Sequence, residues 1–249
     1  MHRFFVETPV GGVGETITLS REESAHASRV LRLRPGEEIR LLDGENLWEA
    51  QLVTVDDKET VASVTALCES PEAPSHAIVF QGLPKADKLE LIAQKGTELG
   101  MWELWPVEME RSVAKADKAD KAEKKRERLS RIAMEAAKQS GRAHVPEIAS
   151  TLSFAKALPK LESVDLVLIA WEEERALPMS QAVNAYVAEH GVPQSVAIII
   201  GPEGGVSQQE WQQLHDMGAV SVTLGKRILR TETAGLCALS VLWTALGEM

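Results

Sequence analysis

Val196-Ala197-Ile198-Ile199-Ile200 is an unbroken apolar run closed by Gly201-Pro202. A β-prone run with no polar position has no face to offer water. It therefore reads as a strand buried on both sides, and such strands belong to mainly parallel sheets with helices on both faces. The neighbouring sequence keeps this rhythm. Strands are predicted at 77–82, 104–107, 165–170 and 220–224, the second at an edge or strand end because Pro106 has no N–H for a ladder. Leu89, Ile92, Ala93, Gly96 and Leu99 recur at helical spacing up to Gly100, and Leu129, Ile132, Ala133, Ala136 and Ala137 form a second stripe. Residues 233–246 make a hydrophobic closing helix, and the Lys115 to Lys125 stretch reads as a mobile loop or an exposed helix start.

The N-terminal part has another pattern. Phe4-Phe5-Val6 and Thr16-Ile17-Thr18-Leu19 are β-prone and are separated by Pro9, Gly11, Gly12 and Gly14. Ser20 and Glu23 have capping-box spacing ahead of a helix through Ala27, Val30 and Leu31, which Pro35-Gly36 stops. Strands at 38–42, 47–55 and 60–67 then alternate with Asp43-Gly44 and Asp56-Asp57 turns. This predicts a small β barrel or sandwich. Pro71 and Pro74 mark a linker, giving domains at 1–72 and 73–249.

Charge narrows the function classes. The 249-residue chain carries a formal charge of −10, which by itself argues against nucleic-acid binding. That average hides a segregation. Residues 111–142 hold eleven Lys and Arg against five Asp and Glu, leaving −16 for the remainder. Such a segment either holds a polyanion locally or forms a solvated helix face. No apolar run approaches the ~20 residues of a membrane helix. The two cysteines, Cys68 and Cys237, are far apart, so neither a disulfide framework nor a metal cluster is expected. The start of the chain is a poor secretion signal, and the expected location is cytoplasmic.

In open α/β sheets ligands bind beyond the carboxyl ends of strands, so the loops after the apolar runs are where chemistry is sought. Gly201-Pro202-Glu203-Gly204-Gly205 is one, with Ser207 and Glu210 after it at capping-box spacing. Its glycines fit neither a dinucleotide fingerprint nor a phosphate-binding P-loop. Glu203 is either a ligand or catalytic group or a carboxylate complementing a helix dipole, and Glu210 is a cap. The second loop runs from Leu224 to Ala234. Thr231 reads as the N-cap of the closing helix, with Glu232 in its first turn. Arg227 and Arg230 precede that helix, where cations oppose the macrodipole, so they await a negative partner or form ion pairs.

The series I-G-P-E-G-G after one strand, L-G-x-R-I-L-R-x-E-T-A after the next, and E-A-x-x-Q-x-x-R at Glu135, Ala136, Gln139 and Arg142 resembles the RsmE family of SPOUT-class methyltransferases. The N-terminal helix His26-Ala27-Ser28-Arg29-Val30-Leu31-Arg32 is similar to that of the family's PUA-like domain. The resemblance implies methyl transfer from S-adenosyl-L-methionine to N3 of a uridine in 16S ribosomal RNA of the small subunit. It also implies a PUA-like β-barrel ahead of a SPOUT-type α/β domain, a trefoil knot in the latter and a homodimer. The implied cofactor pocket comprises Ala170, Trp171, Gly201, Glu203, Gly204, Leu224, Gly225, Ile228 and Leu229. For Trp171 a core or interface role remains open.

Uridine N3 carries a proton at neutral pH, and its loss leaves negative charge on O2 and O4. A cation is needed beside those oxygens, and Arg230 is assigned that catalytic role. Glu203, Glu232 and water all stand as candidate bases. Arg3, Arg29, Arg32, Arg34, Arg111 and Arg142 are the candidate RNA contacts, each alternatively paired with a neighbouring acid. Two rival readings remain: a noncatalytic RNA-binding protein whose α/β half is a dimer scaffold, and a related methyltransferase acting on another RNA.

Overall fold

The structure is a computed structural model describing residues 1–44, 46–117 and 119–249. It divides into two compact units, residues 1–72 with 137–145, and residues 73–136 with 146–249.

The first unit contains β1 (His2–Phe5), β2 (Thr16–Thr18), α1 (Arg21–Ala25), β3 (Glu38–Leu42), β4 (Leu47–Thr54) and β5 (Val61–Cys68). The strands form one five-stranded sheet in the order β1-β3-β4-β5-β2. Period-2 alternation puts Phe4, Ile17, Ile39, Leu41 and Leu52 into one core with Ala27 and Leu33. The helix expected through Leu31 forms, but in two parts. Ser20 accepts from the Glu23 N–H and starts α1, which widens into a π-helical segment over His26–Val30. The predicted capping box is only half made, because the Glu23 carboxylate pairs with Lys138 at 2.5 Å.

The second unit contains β6 (His76–Gly82), α2 (Lys88–Glu98), β7 (Met101–Glu108), α3 (Ala119–Ser140) up to residue 136, β8 (Glu147–Ile148), β9 (Leu152–Ser153), α4 (Phe154–Ala157), β10 (Leu166–Ala170), α5 (Met179–His190), β11 (Ser195–Ile200), α6 (Gln208–Asp216), β12 (Val220–Val222) and α7 (Thr231–Leu246). Lys118, within the basic stretch, lies outside the described residues, and α3 starts directly after it. The sheet order is β12-β10-β11-β6-β7-β8, with β9 also on β7 and all pairs parallel. As its composition requires, β11 is central and buried from Val196 onward.

Of the two places Pro106 allowed, an edge or a strand end, β7 is not an edge, and Pro106 lies two residues from its end. It lies between β6 and the short outer strands, with Pro106 opposite Gln81. The proline is tolerated because the outer neighbour is interrupted there: β8 pairs with Glu103 and Leu104, and β9 with Val107 and Glu108. No ladder bond to either outer strand needs the missing N–H. No helix among the described residues is long and apolar enough to cross a membrane.

Candidate active site

Three parallel strands end at one level. Ala170 of β10 is in register with Ile200 of β11 on one side and with Val222 of β12 on the other. The loops leaving these ends meet around a cavity of about 550 Å³, lined by all ten residues the sequence nominated for cofactor and catalysis. They are Ala170, Trp171, Gly201, Glu203, Gly204, Leu224, Gly225, Ile228, Leu229 and Arg230. A volume of this size suits a nucleoside-sized ligand.

The wall is apolar where Leu224, Ile228 and Leu229 face it, and Ile228 is 79% exposed. Two glycines explain how the backbone comes so close. A Cβ on Gly201 would stand 2.8 Å from the backbone of Gly205 and Val206, so only glycine lets this turn fold on itself. Gly225 has φ of +115°, open to glycine and strained for other residues. Trp171 lines the cavity and stacks on Trp211 with centroids 4.6 Å apart.

Thr231 is not the N-cap. Arg230 occupies that position with extended backbone, and Thr231 is the first helical residue. Its buried hydroxyl donates to the Gly201 carbonyl at 2.7 Å and accepts from Gln81 Nε2 at 2.8 Å, stitching β6, the glycine turn and α7 together. The sequence pattern could not separate a cap from a cross-link, since both use a hydroxyl at a helix start. Glu210 likewise does more than cap. It completes the capping box with Ser207, and its Oε1 also accepts from the Glu110 N–H at 2.7 Å.

The rim is charged. Lys88, missed in the sequence, reaches Glu203 Oε1 at 2.9 Å and Glu232 Oε2 at 3.1 Å. Its signal was available: a cation at the first residue of α2 has the same unfavourable dipole position as Arg227 and Arg230. Glu203 Oε1 also accepts from the Lys85 N–H at 3.0 Å. Burial pushes the Glu203 carboxyl up, but the Lys88 ammonium and the Lys85 N–H outweigh it and hold the group below its ordinary range. Burial also raises Glu232, and its own backbone N–H, Lys88 and Arg230 overcome that rise. Both partners in turn raise Lys88. Arg175, Arg227 and Arg230 line the same cavity, and none has an ion-pair partner among the described residues.

The six arginines nominated for RNA divide sharply. Arg142 is 5% exposed and pairs with Glu72 at 2.6 Å, so its place is in the core of the first unit. Arg3 donates to the Lys138 and Gln139 carbonyls, satisfying the C-terminal end of α3. Arg142 thus takes the acid-paired alternative that stood beside RNA contact, and the Arg3 guanidinium is engaged by helix-end carbonyls. Arg29 is exposed and bonded to Asp57. Arg32 and Arg34 are exposed, Arg32 with φ of 55°. Arg111 is exposed, and it braces the glycine turn by donating to the carbonyls of Gly204 and Val206. Among the described residues no group of acids, histidines and cysteines could hold a metal.

Known proteins share this construction. A family model described as an RNA methyltransferase domain matches residues 71–243, and one described as an RNA methyltransferase PUA domain matches 19–64. Ribosomal RNA small subunit methyltransferase E of Bacillus subtilis is 39% identical over 247 residues, 97% of this chain and 96% of that protein. Its namesake in Synechocystis is 32% identical over 94% of this chain and 75% of that protein. The crystal structure of the Neisseria gonorrhoeae protein of the same name, bound to S-adenosyl methionine, superposes with a TM-score of 0.81 at 31% identity, covering 98% of this chain and 97% of that one. Kinship of this extent, running through both domains, makes the chain a member of the ribosomal RNA small subunit methyltransferase E family.

Proposed function

We propose that this protein transfers a methyl group from S-adenosyl-L-methionine to N3 of a uridine in 16S ribosomal RNA of the small subunit, acting as a cytoplasmic homodimer. One observation carries the reading: three aligned strand ends meet at a cavity with an apolar wall, glycine turns and, at its rim, a guanidinium with no ion-pair partner among the described residues. The residues present fit the cofactor. Leu224, Ile228 and Leu229 offer an apolar slot for an adenine, and backbone amides of the glycine turns offer its hydrogen bonds. When bound, the cofactor supplies a methyl carbon attached to a positively charged sulfur.

The chain's own residues do the rest. Arg230 steadies negative charge on the pyrimidine oxygens as the N3 proton leaves, a contribution of about 2.7 to 4 kcal/mol for one well-placed donor. The turns hold the reacting atoms in line, worth roughly 7 to 11 kcal/mol. Glu203 and Glu232 are poor bases, because Lys88 stabilises both as carboxylates. That leaves solvent to take the proton. Exposed Arg29, Arg32 and Arg34 serve RNA capture in the first unit, and a base must be extruded or unpaired to expose N3.

Calorimetric titration with S-adenosylmethionine, with competition by S-adenosylhomocysteine, tests the cavity. Mass spectrometry of 16S rRNA nucleosides from a deletion strain tests the reaction. Binding together with loss of one 3-methyluridine is the expected result. Absence of heat would favour a noncatalytic RNA-binding protein, and loss of a different modified nucleoside would point to another RNA or atom. Sedimentation at micromolar concentration is expected to give twice the chain mass.

A further inference from the structure

We propose that Lys88 is a positioning residue that keeps Arg230 available to substrate by occupying the carboxylate that would otherwise capture it. The inference rests on the assignment of Arg230 above. Glu232 and Arg230 are two residues apart in sequence and interact electrostatically, yet they form no ion pair. Glu232 instead lies 3.1 Å from the Lys88 ammonium. The same ammonium holds Glu203 at 2.9 Å, so one cation balances two carboxylates at the rim while three guanidiniums stay without an ion-pair partner among the described residues.

The backbone is shaped for this arrangement. Ala86 has φ of 53°, a left-handed conformation unfavourable for a residue with a Cβ, two positions before Lys88. The turn it forms places the Lys85 N–H on the same Glu203 oxygen that receives Lys88. Lys88 thus joins the start of α2 to the glycine turn and to the first turn of α7, which carries Arg230 at its cap. Without Lys88, two carboxylates would face the guanidiniums, and Glu232 would be free to take the nearest one. Arg230 would then be spent on its neighbour.

The test compares the wild-type protein with Lys88→Met, Glu232→Gln, the double variant and Lys88→Arg. The first readout needs no turnover: labelling with phenylglyoxal, an arginine-reactive dicarbonyl, and then peptide mass spectrometry. Arg230 is expected to react in the wild type, to be protected in Lys88→Met and to react again in the double variant. Methyl transfer should show the same order, with kcat falling about tenfold in Lys88→Met and recovering on adding Glu232→Gln. Lys88→Arg should retain activity. Unchanged labelling of Arg230 in Lys88→Met, or failure of Glu232→Gln to restore it, would overturn the inference. A wild-type protein that binds no cofactor would overturn the functional reading instead, while the labelling result would still stand.

Discussion

Arg230 is exposed at the N-cap of α7, on the wall of the cavity, with no ion-pair partner among the described residues. Replacing it with Ala should cut methyl transfer by about 10² to 10³, with cofactor affinity by calorimetry nearly unchanged; equal losses in both would make its role structural. Thr231 beside it has the opposite profile. Thr231→Val keeps the shape but leaves the Gly201 carbonyl without its hydroxyl donor and removes the acceptor for Gln81. Urea unfolding should show a loss of about 1 to 3 kcal/mol. The rim carboxylates contribute to acid sensitivity. Glu203 and Glu232 have folded pKa values below the ordinary 4.5, so the stability they contribute is complete above that pH and is lost as pH falls through the lowered values. Glu203→Gln should therefore flatten the decline of Tm below pH 4.5 relative to the wild type. Arg227 and Arg230 were visible in the sequence as cations in the wrong place for a helix dipole, and Lys88 carried the same mark at α2. What the sequence could not show is which of the three finds carboxylates, because Glu203 lies 115 residues from Lys88.

At the scale of elements, the site is made by turns whose shape depends on the absence of side chains. Gly201→Ala would put a methyl 2.8 Å from the backbone of Gly205 and Val206, and the turn would have to open. Cofactor affinity should weaken by tenfold or more, about 1.4 kcal/mol, with the apolar wall intact; calorimetry decides. The strands themselves were legible: β3 was predicted to the residue, and β11 to within one. For β7 only its second half was read, at 104–107, and of the two places offered, an edge or a strand end, the edge was wrong, since Pro106 says only that an N–H is missing. Whether a strand with that defect lies inside a sheet depends on the neighbour, and here the neighbour breaks into β8 and β9. The helix from Ser20 was read from its cap, while the π-helical continuation at His26 has no comparable mark in the pattern.

For the molecule as a whole, compactness does not respect chain order. Residues 137–145, the last turn of α3 and the segment after it, belong with residues 1–72, held by Arg3 on the helix carbonyls, Lys138 on Glu23 and Arg142 on Glu72. Removing one partner of a buried pair is costly, so Arg142→Met should lower the stability of the first unit by about 3 to 5 kcal/mol. Arg32→Ala should leave thermal unfolding within about 0.5 kcal/mol of wild type, while reducing the salt slope of RNA binding by about one. A reversed pair of results would return Arg142 to the RNA surface. The apolar periods, the glycine turns and the adverse cations were enough to point to an α/β layer and to the loops where a ligand is sought, because these depend on local spacing, while the methyl-transfer chemistry came from the family resemblance of the motifs. Which strand is flanked by which, which arginine is consumed by a carboxylate and where the hydroxyl of Thr231 points were decided only when distant segments packed, because ion pairs and buried hydrogen bonds choose partners by proximity in space.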